Sequence, residues 1–165
     1  MSSTFSLKTF PIQSTTQQMF SKIAHLPWSV LLESANPDHI DNRFDIFSAD
    51  PVATVQTTGN QTTVTEGEQK ISYADRSPLQ LLKDVQQRVL GSDPSDQGEL
   101  PFTGGSIGLL GYDLGRQFEK LSEQASRDID LPDLAVGIYD WAWIIDHKTG
   151  QAHFLVCGSQ TDLEH

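Results

Sequence analysis

Residues 43–74, RFDIFSADPVATVQTTGNQTTVTEGEQKISYA, fall into four short pieces rich in β-branched and aromatic residues, parted by Pro51, Gly59-Asn60 and Gly67-Glu68. Pieces of that length between turn formers predict an antiparallel meander. Immediately downstream, Ser77-Pro78 opens a helix with serine as N-cap and proline at its first position. Leu79, Leu82, Val85 and Val89 then recur at three- and four-residue steps until Gly91 ends it. GSDPSDQGELP (91–101) is a polar surface loop or hinge. DLAVGIYDWAWIID (133–146) and QAHFLVC (151–157) read as the two arms of a hairpin turning at Thr149-Gly150. Upstream, TTQQMFSKIAH (15–25) predicts a short helix, with Met19, Phe20, Ile23 and Ala24 on one stripe behind a capping box of Thr15 and Gln18. LPWSVLLES (26–34), interrupted by Pro27, predicts a buried strand beginning near Trp28, and NPDHIDN (36–42) a loop. The expected fold is α+β: a mostly antiparallel, β-sandwich-like sheet with two or three flanking helices. One domain is expected over residues 1–157, with a tail over 158–165 whose closing Leu163, Glu164 and His165 read as a tag remnant.

The chain has 165 residues, enough for one sizeable core, and its 37% hydrophobic content is that of a globular chain. Eleven Lys and Arg stand against 22 Asp and Glu, a net charge of -11, with a pI near 4.6 and a mean hydropathy of -0.34. Such a balance repels phosphate backbones and anionic lipid, so neither nucleic acid nor a membrane surface is an expected partner. No apolar run approaches the ~20 residues that span a bilayer, and the opening MSSTFSLKTFPIQSTTQQ lacks the apolar segment of a signal peptide, so a cytoplasmic setting is expected. The single Cys157 has no partner for an internal disulfide and sits in FLVC, where a small buried thiol is the ordinary expectation.

Few residue groups promise chemistry. Gly104-Gly105-Ser106-Ile107-Gly108 matches G-x-S-x-G, with Asp and His following in the order used by α/β-hydrolases. A nucleophile elbow, however, needs a strand before the serine and a helix straight after it. A Pro- and Gly-rich loop precedes Gly104, and the glycine-studded LLGYDLG that follows makes a poor helix. The same stretch lacks the Lys-Ser/Thr ending of a P-loop. Gly105, Gly108 and Gly111 suit a strand that another backbone, an aromatic ring or a ligand approaches closely. No C-x-x-C or H-E-x-x-H is present; His147 and His153, across the expected hairpin, amount to two imidazoles without a third ligand. Asp38, Asp41, Asp45, Asp93 and Asp96 fall where solvated charge is the default. Glu33 and Asp45 stand out for lying inside apolar strands, with Glu33 on the wet face opposite Leu32 and Ser34. Leu32 and Ser34 then share a buried face with one hydroxyl that needs a partner. With Phe44 and Arg43 nearby, that face suits an aromatic zwitterion held by stacking and by its carboxylate.

Three separated blocks carry a resemblance that runs from about Ala24 to Val156. LPWSVLLES with NRFDIF, then GGSIGLLGYDLGRQFE, then LPDLAVGIYDWAWIIDH, resemble the N-terminal region of component I of aminodeoxychorismate synthases, the chorismate-using subunits of 4-aminobenzoate and folate biosynthesis. Anthranilate synthase component I shares the pattern in weaker form. LPWSVLLES, GRQFE and the FDI after the arginine tilt the resemblance toward the aminobenzoate branch. It implies that the full-length subunit makes 4-amino-4-deoxychorismate from chorismate and ammonia, with a glutamine amidotransferase as partner. It also implies that the catalytic residues and the Mg²⁺-binding glutamates lie downstream, so that no catalytic residue, cofactor or metal site is expected in this chain. A tryptophan pocket is implied at Ser34, Asp41, Asn42, Arg43 and Phe44, closed by segments that are not here. Asp41, where some relatives carry an aromatic residue, gives up stacking and adds negative charge. L-tryptophan is therefore expected to bind this chain weakly or not at all, and uncovered strand edges make a homodimer an expected state. The alternatives are the regulatory domain of an anthranilate synthase component I and a small serine hydrolase using Ser106.

Overall fold

A computed structural model describes residues 5–34, 42–91, 99–117, 119 and 130–157. In chain order the elements are β1 (Phe5–Pro11), α1 (Thr16–Phe20), β2 (Val30–Leu32), β3 (Phe44–Ser48), β4 (Ala53–Thr58), β5 (Gln61–Glu66), β6 (Gln69–Ala74), α2 (Pro78–Leu90), β7 (Gly105–Leu110), a 3-10 turn (Tyr112–Gln117), β8 (Leu134–Tyr139), β9 (Trp141–Asp146) and β10 (Gln151–Cys157). The strands form two antiparallel sheets of five, ordered β1-β10-β9-β3-β2 and β6-β5-β4-β8-β7, so the fold is α+β and dominated by sheet. Two compact units follow the sheets: Met1–Pro51 with Leu90–Gly105 and Tyr139–His165, and Val52–Val89 with Ser106–Ile138.

In the first unit, period two sorts the strands by face. Phe47 of β3 stands opposite Trp143 of β9, and Phe154 of β10 opposite the same tryptophan, so one face carries stacked and tilted rings with Phe10 at its edge. Met19, Phe20 and Ile23 pack on Phe47, Ile145 and Ala152 of that face. This contact holds α1, whose five residues are too few to be stable alone. Its capping box forms as read: Thr15 Oγ1 accepts from Gln18 N, and Gln18 Oε1 from Thr15 N. The helical stretch is shorter than the expected 15–25, giving way to turns after Phe20. Farther on, Trp28 adopts a positive φ of 54°, its carbonyl accepting 2.8 Å from the Tyr139 hydroxyl, which burial pushes up to about 12.

In the second unit, β4, β5 and β6 make the meander through the turns at Gly59 and Gly67, both at positive φ. The first of the four sequence pieces does not belong to it. β3 pairs with β9 and β2 in the other sheet, because the chain leaves that sheet through Asp50, a non-glycine residue at φ 50°, ahead of Pro51. The expected first arm of the hairpin is likewise two strands. β8 pairs with β4, and past Asp140 the chain enters β9, which alone forms the hairpin with β10. β1 has no counterpart in the sequence reading, and it pairs with β10 along its whole length. Helix α2 runs from Pro78 to Leu90, with the Ser77 hydroxyl accepting from Gln80 N and Gly91 following at φ 79°.

The glycine stretch serves close packing. A Cβ on Gly108 would lie 2.1 Å from the Ala135 carbonyl oxygen and 2.7 Å from Val136 Cα, so β7 meets β8 at a distance only glycine allows.

Candidate functional site

The start of β3 gathers most of the residues singled out in the sequence. Phe44 and Asp45, being adjacent in a strand, point to opposite faces, and each face has its own chemistry.

On the Phe44 side, the Ser34 hydroxyl donates to the Phe44 carbonyl at 3.1 Å, so it finds the partner it needs within the backbone. Leu32, expected to be buried beside Ser34, is 47% exposed. The Arg43 guanidinium lies 4.5 Å over the Phe44 ring and pairs with Asp146 at 3.0 Å and Glu99 at 2.6 Å. Its charge is thus already matched by two carboxylates, whose hydrogen bonds raise its pKa further. Arg43 in turn holds Glu99 below its ordinary value. At Asp146, burial pushes the carboxyl up, but the Arg43 hydrogen bond and the amides of Lys148 and Thr149 outweigh it and leave the pKa lowered. Asp41 lies outside the described residues, as do Asp38, Asp93 and Asp96.

On the other side, Asp45 is not solvated. It is 2% exposed and joins three segments: its Oδ2 accepts from the Thr16 hydroxyl at 2.6 Å and meets His147 Nε2 at 2.7 Å, and its Oδ1 accepts from Ser34 N at 2.9 Å. A cleft of about 840 Å³ opens beside it, with Thr16, Gln17, Glu33, Asn42, His147 and Lys148 among its polar walls and Ile12 and Ile145 as its apolar part. Ser34 and Asn42 line this cleft; Arg43 and Phe44 do not. Glu33 is exposed, as expected, and accepts from Gln17 Nε2.

The other candidates resolve into structure. Ser106 sits inside β7, donating to Gln86 Oε1 at 2.5 Å, so it is at no strand-to-helix turn and the hydrolase elbow does not form. His147 and His153 are not brought together: His153 stands opposite Ile144 and bonds Thr9 Oγ1, while His147 bonds Asp45. The Cys157 thiol donates to the Thr103 carbonyl at 2.7 Å, and burial, with Asp140 nearby, pushes it up to about 11, far from a reactive thiolate. Among the described residues no three His, Cys, Asp or Glu side chains are placed to hold a metal ion, and no helix is long and apolar enough to cross a membrane.

Sequence reasoning marked Asp45 as unusual but missed its partners. Thr16 and His147 stand 29 and 102 residues away, and no local pattern joins them.

No protein-family model matches the chain. It is 49% identical over 136 residues to "Aminodeoxychorismate synthase component 1" of Escherichia coli (strain K12), covering 82% of this chain and 30% of that protein. It is 31% identical over 127 residues to "Anthranilate synthase component 1" of Lactococcus lactis subsp. lactis (strain IL1403), covering 76% of this chain and 26% of that protein. Among solved structures, it is similar to anthranilate synthase component I from Streptococcus pneumoniae TIGR4, with a TM-score of 0.59 and 28% identity over 78% of this chain and 28% of that one. The chain thus spans less than a third of the length of these relatives.

Proposed function

From the premise that this chain belongs to the component 1 family of aminodeoxychorismate and anthranilate synthases, we propose that it is the non-catalytic, ligand-sheltering N-terminal part of an aminodeoxychorismate synthase component 1. The observation that carries the reading is the 49% identity to the Escherichia coli aminodeoxychorismate relative against 31% to the anthranilate relative. In this reading the full-length subunit, in the cytoplasm, converts chorismate and ammonia to 4-amino-4-deoxychorismate for folate synthesis. A glutamine amidotransferase supplies the ammonia. Mg²⁺ belongs, in this reading, to the remainder of the subunit.

The role of this part is to form one wall of a tryptophan pocket built on Ser34, Asn42, Arg43 and Phe44 at the start of β3, with Asp41 as a further member by resemblance. A half-buried ring and an arginine held over it suit an indole, and the exposed Leu32 on the same face suits cover from another segment. Arg43 must give up one of its carboxylates to receive a ligand's, which supports weak binding to this chain alone. Strand edges with Leu109, Leu110 and Tyr112 exposed in and just after β7 support pairing of two copies as part of the same proposal.

The test is to supply the full-length subunit with chorismate and ammonia and identify the product. 4-Amino-4-deoxychorismate is the expected result, and anthranilate would transfer the chain to the anthranilate branch. Turnover of chorismate by this chain alone would overturn the non-catalytic reading.

A further inference from the structure

Of the two carboxylates that hold Arg43, one is built in and the other is not. Asp146, its side chain 4% exposed, accepts from Arg43 Nε at 3.3 Å and from Nη2 at 3.0 Å, and the amides of Lys148 and Thr149 fix it in turn. Glu99, its side chain 78% exposed, accepts from Nη2 at 2.6 Å. An exposed pair of this kind holds loosely, because water and salt screen it and two long side chains must be kept in one geometry. Given that Arg43 belongs to the tryptophan pocket, the reading on which this rests, we propose that Glu99 is an internal competitor: its carboxylate occupies Arg43 until the carboxylate of an incoming aromatic ligand displaces it.

Displacement leaves the rest of the arrangement in place. Asp146 keeps the guanidinium 4.5 Å over the Phe44 ring, so the nitrogen that Glu99 vacates belongs to a group already stacked on an aromatic surface. A ligand with a ring and a carboxylate can use both features, whereas Glu99 uses only the nitrogen. The displaced side chain has somewhere to go. Arg43 first and Lys148 after it hold the Glu99 carboxyl below its ordinary value, so a second cation already acts on Glu99 when the first is taken. While Glu99 occupies the arginine, the apparent affinity for a carboxylate ligand falls by the fraction of molecules in which it does so. Asp146 is thus a positioning residue for Arg43, and Glu99 sets how readily Arg43 receives a ligand.

The test uses ¹⁵N-labelled chain, read at the Arg43 Nε–H resonance and titrated with indole-3-propionate, which has a ring and a carboxylate, and with indole-3-propionamide, which has the ring without the charge. Glu99→Gln is expected to tighten the propionate about two- to fivefold, the range of an exposed ion pair, and to leave the propionamide unchanged. Glu68→Gln removes the same charge from an exposed turn of the second unit and should change neither. Unchanged propionate affinity in Glu99→Gln, an equal gain for both compounds, or an equal gain in Glu68→Gln would overturn the proposal. L-Tryptophan titrated into the native full-length subunit judges the pocket separately. Tryptophan binding there without a propionate gain in Glu99→Gln sinks the competitor and leaves the pocket standing, whereas a propionate gain without tryptophan binding sinks the tryptophan reading and leaves the competitor.

Discussion

Gly108→Ala is expected to cost the protein at least about 3 kcal/mol, because the added methyl has no free direction. Its carbon would overlap the Ala135 carbonyl oxygen and crowd Val136 Cα, and both are backbone atoms of a strand paired on its far side with β4. A flexible side chain could turn away; this ladder must part or shift as a whole. For a chain of this size such a loss lowers the melting temperature by about 6–12 °C. Calorimetry or circular dichroism on the purified variant measures it. Gly67→Ala makes a useful comparison, because a Cβ there meets nothing within 4 Å and only the positive φ is at stake. Its cost should be about 1 kcal/mol. Equal melting temperatures for Gly108→Ala and the native chain would mean that β7 does not lie where it is described.

The second large effect belongs to Asp146. This carboxylate is buried, pairs with Arg43 and takes the amides of Lys148 and Thr149 at the turn between β9 and β10. Asp146→Ala should cost about 2 kcal/mol, since two turn amides and an arginine lose their acceptor together. The more telling variant is Asp146→Asn, which keeps an acceptor for the turn but removes the charge. The folded-state carboxyl lies below its ordinary value of 3.8. Its ionised form therefore contributes stability that is complete above the unfolded pKa and is lost as pH falls through the folded one. Urea midpoints should show the native chain ahead of Asp146→Asn at pH 7 and the gap closing as the pH is taken below the ordinary value. A gap that stays constant across that range would show that the Arg43 pairing is not electrostatic in origin.

The parts of this molecule legible in the sequence are those governed by neighbours along the chain. The cap of α1, the span of α2 from Ser77-Pro78 to Gly91, the meander turns at Gly59 and Gly67, and the close approach at Gly108 all follow from residue types within a few positions. What escaped was decided by distant partners. β1 reads Phe-Ser-Leu-Lys-Thr-Phe-Pro, too mixed to declare itself until β10 gives its hydrogen bonds a place to go. The run from Leu134 to Asp146 is apolar nearly throughout, so its pattern hides the change of sheet at Asp140. At the site, alternation put Glu33 at an exposed position, but neither the Arg43–Asp146 pair nor the Thr16–Asp45–His147 cluster could be found by spacing. Each joins residues brought together only by the order of strands in the first sheet. The arginine expected to wait for a ligand is instead held by Asp146 and Glu99, a fact that alters how strongly this chain can bind anything on that side.

Isothermal titration of L-tryptophan into this chain and into the full-length subunit, side by side, tests most directly whether these residues form one wall of a shared pocket. The account predicts measurable binding to the full-length subunit and weak binding or none to the chain alone. Micromolar binding to the chain by itself, or none to the full-length subunit, would contradict it.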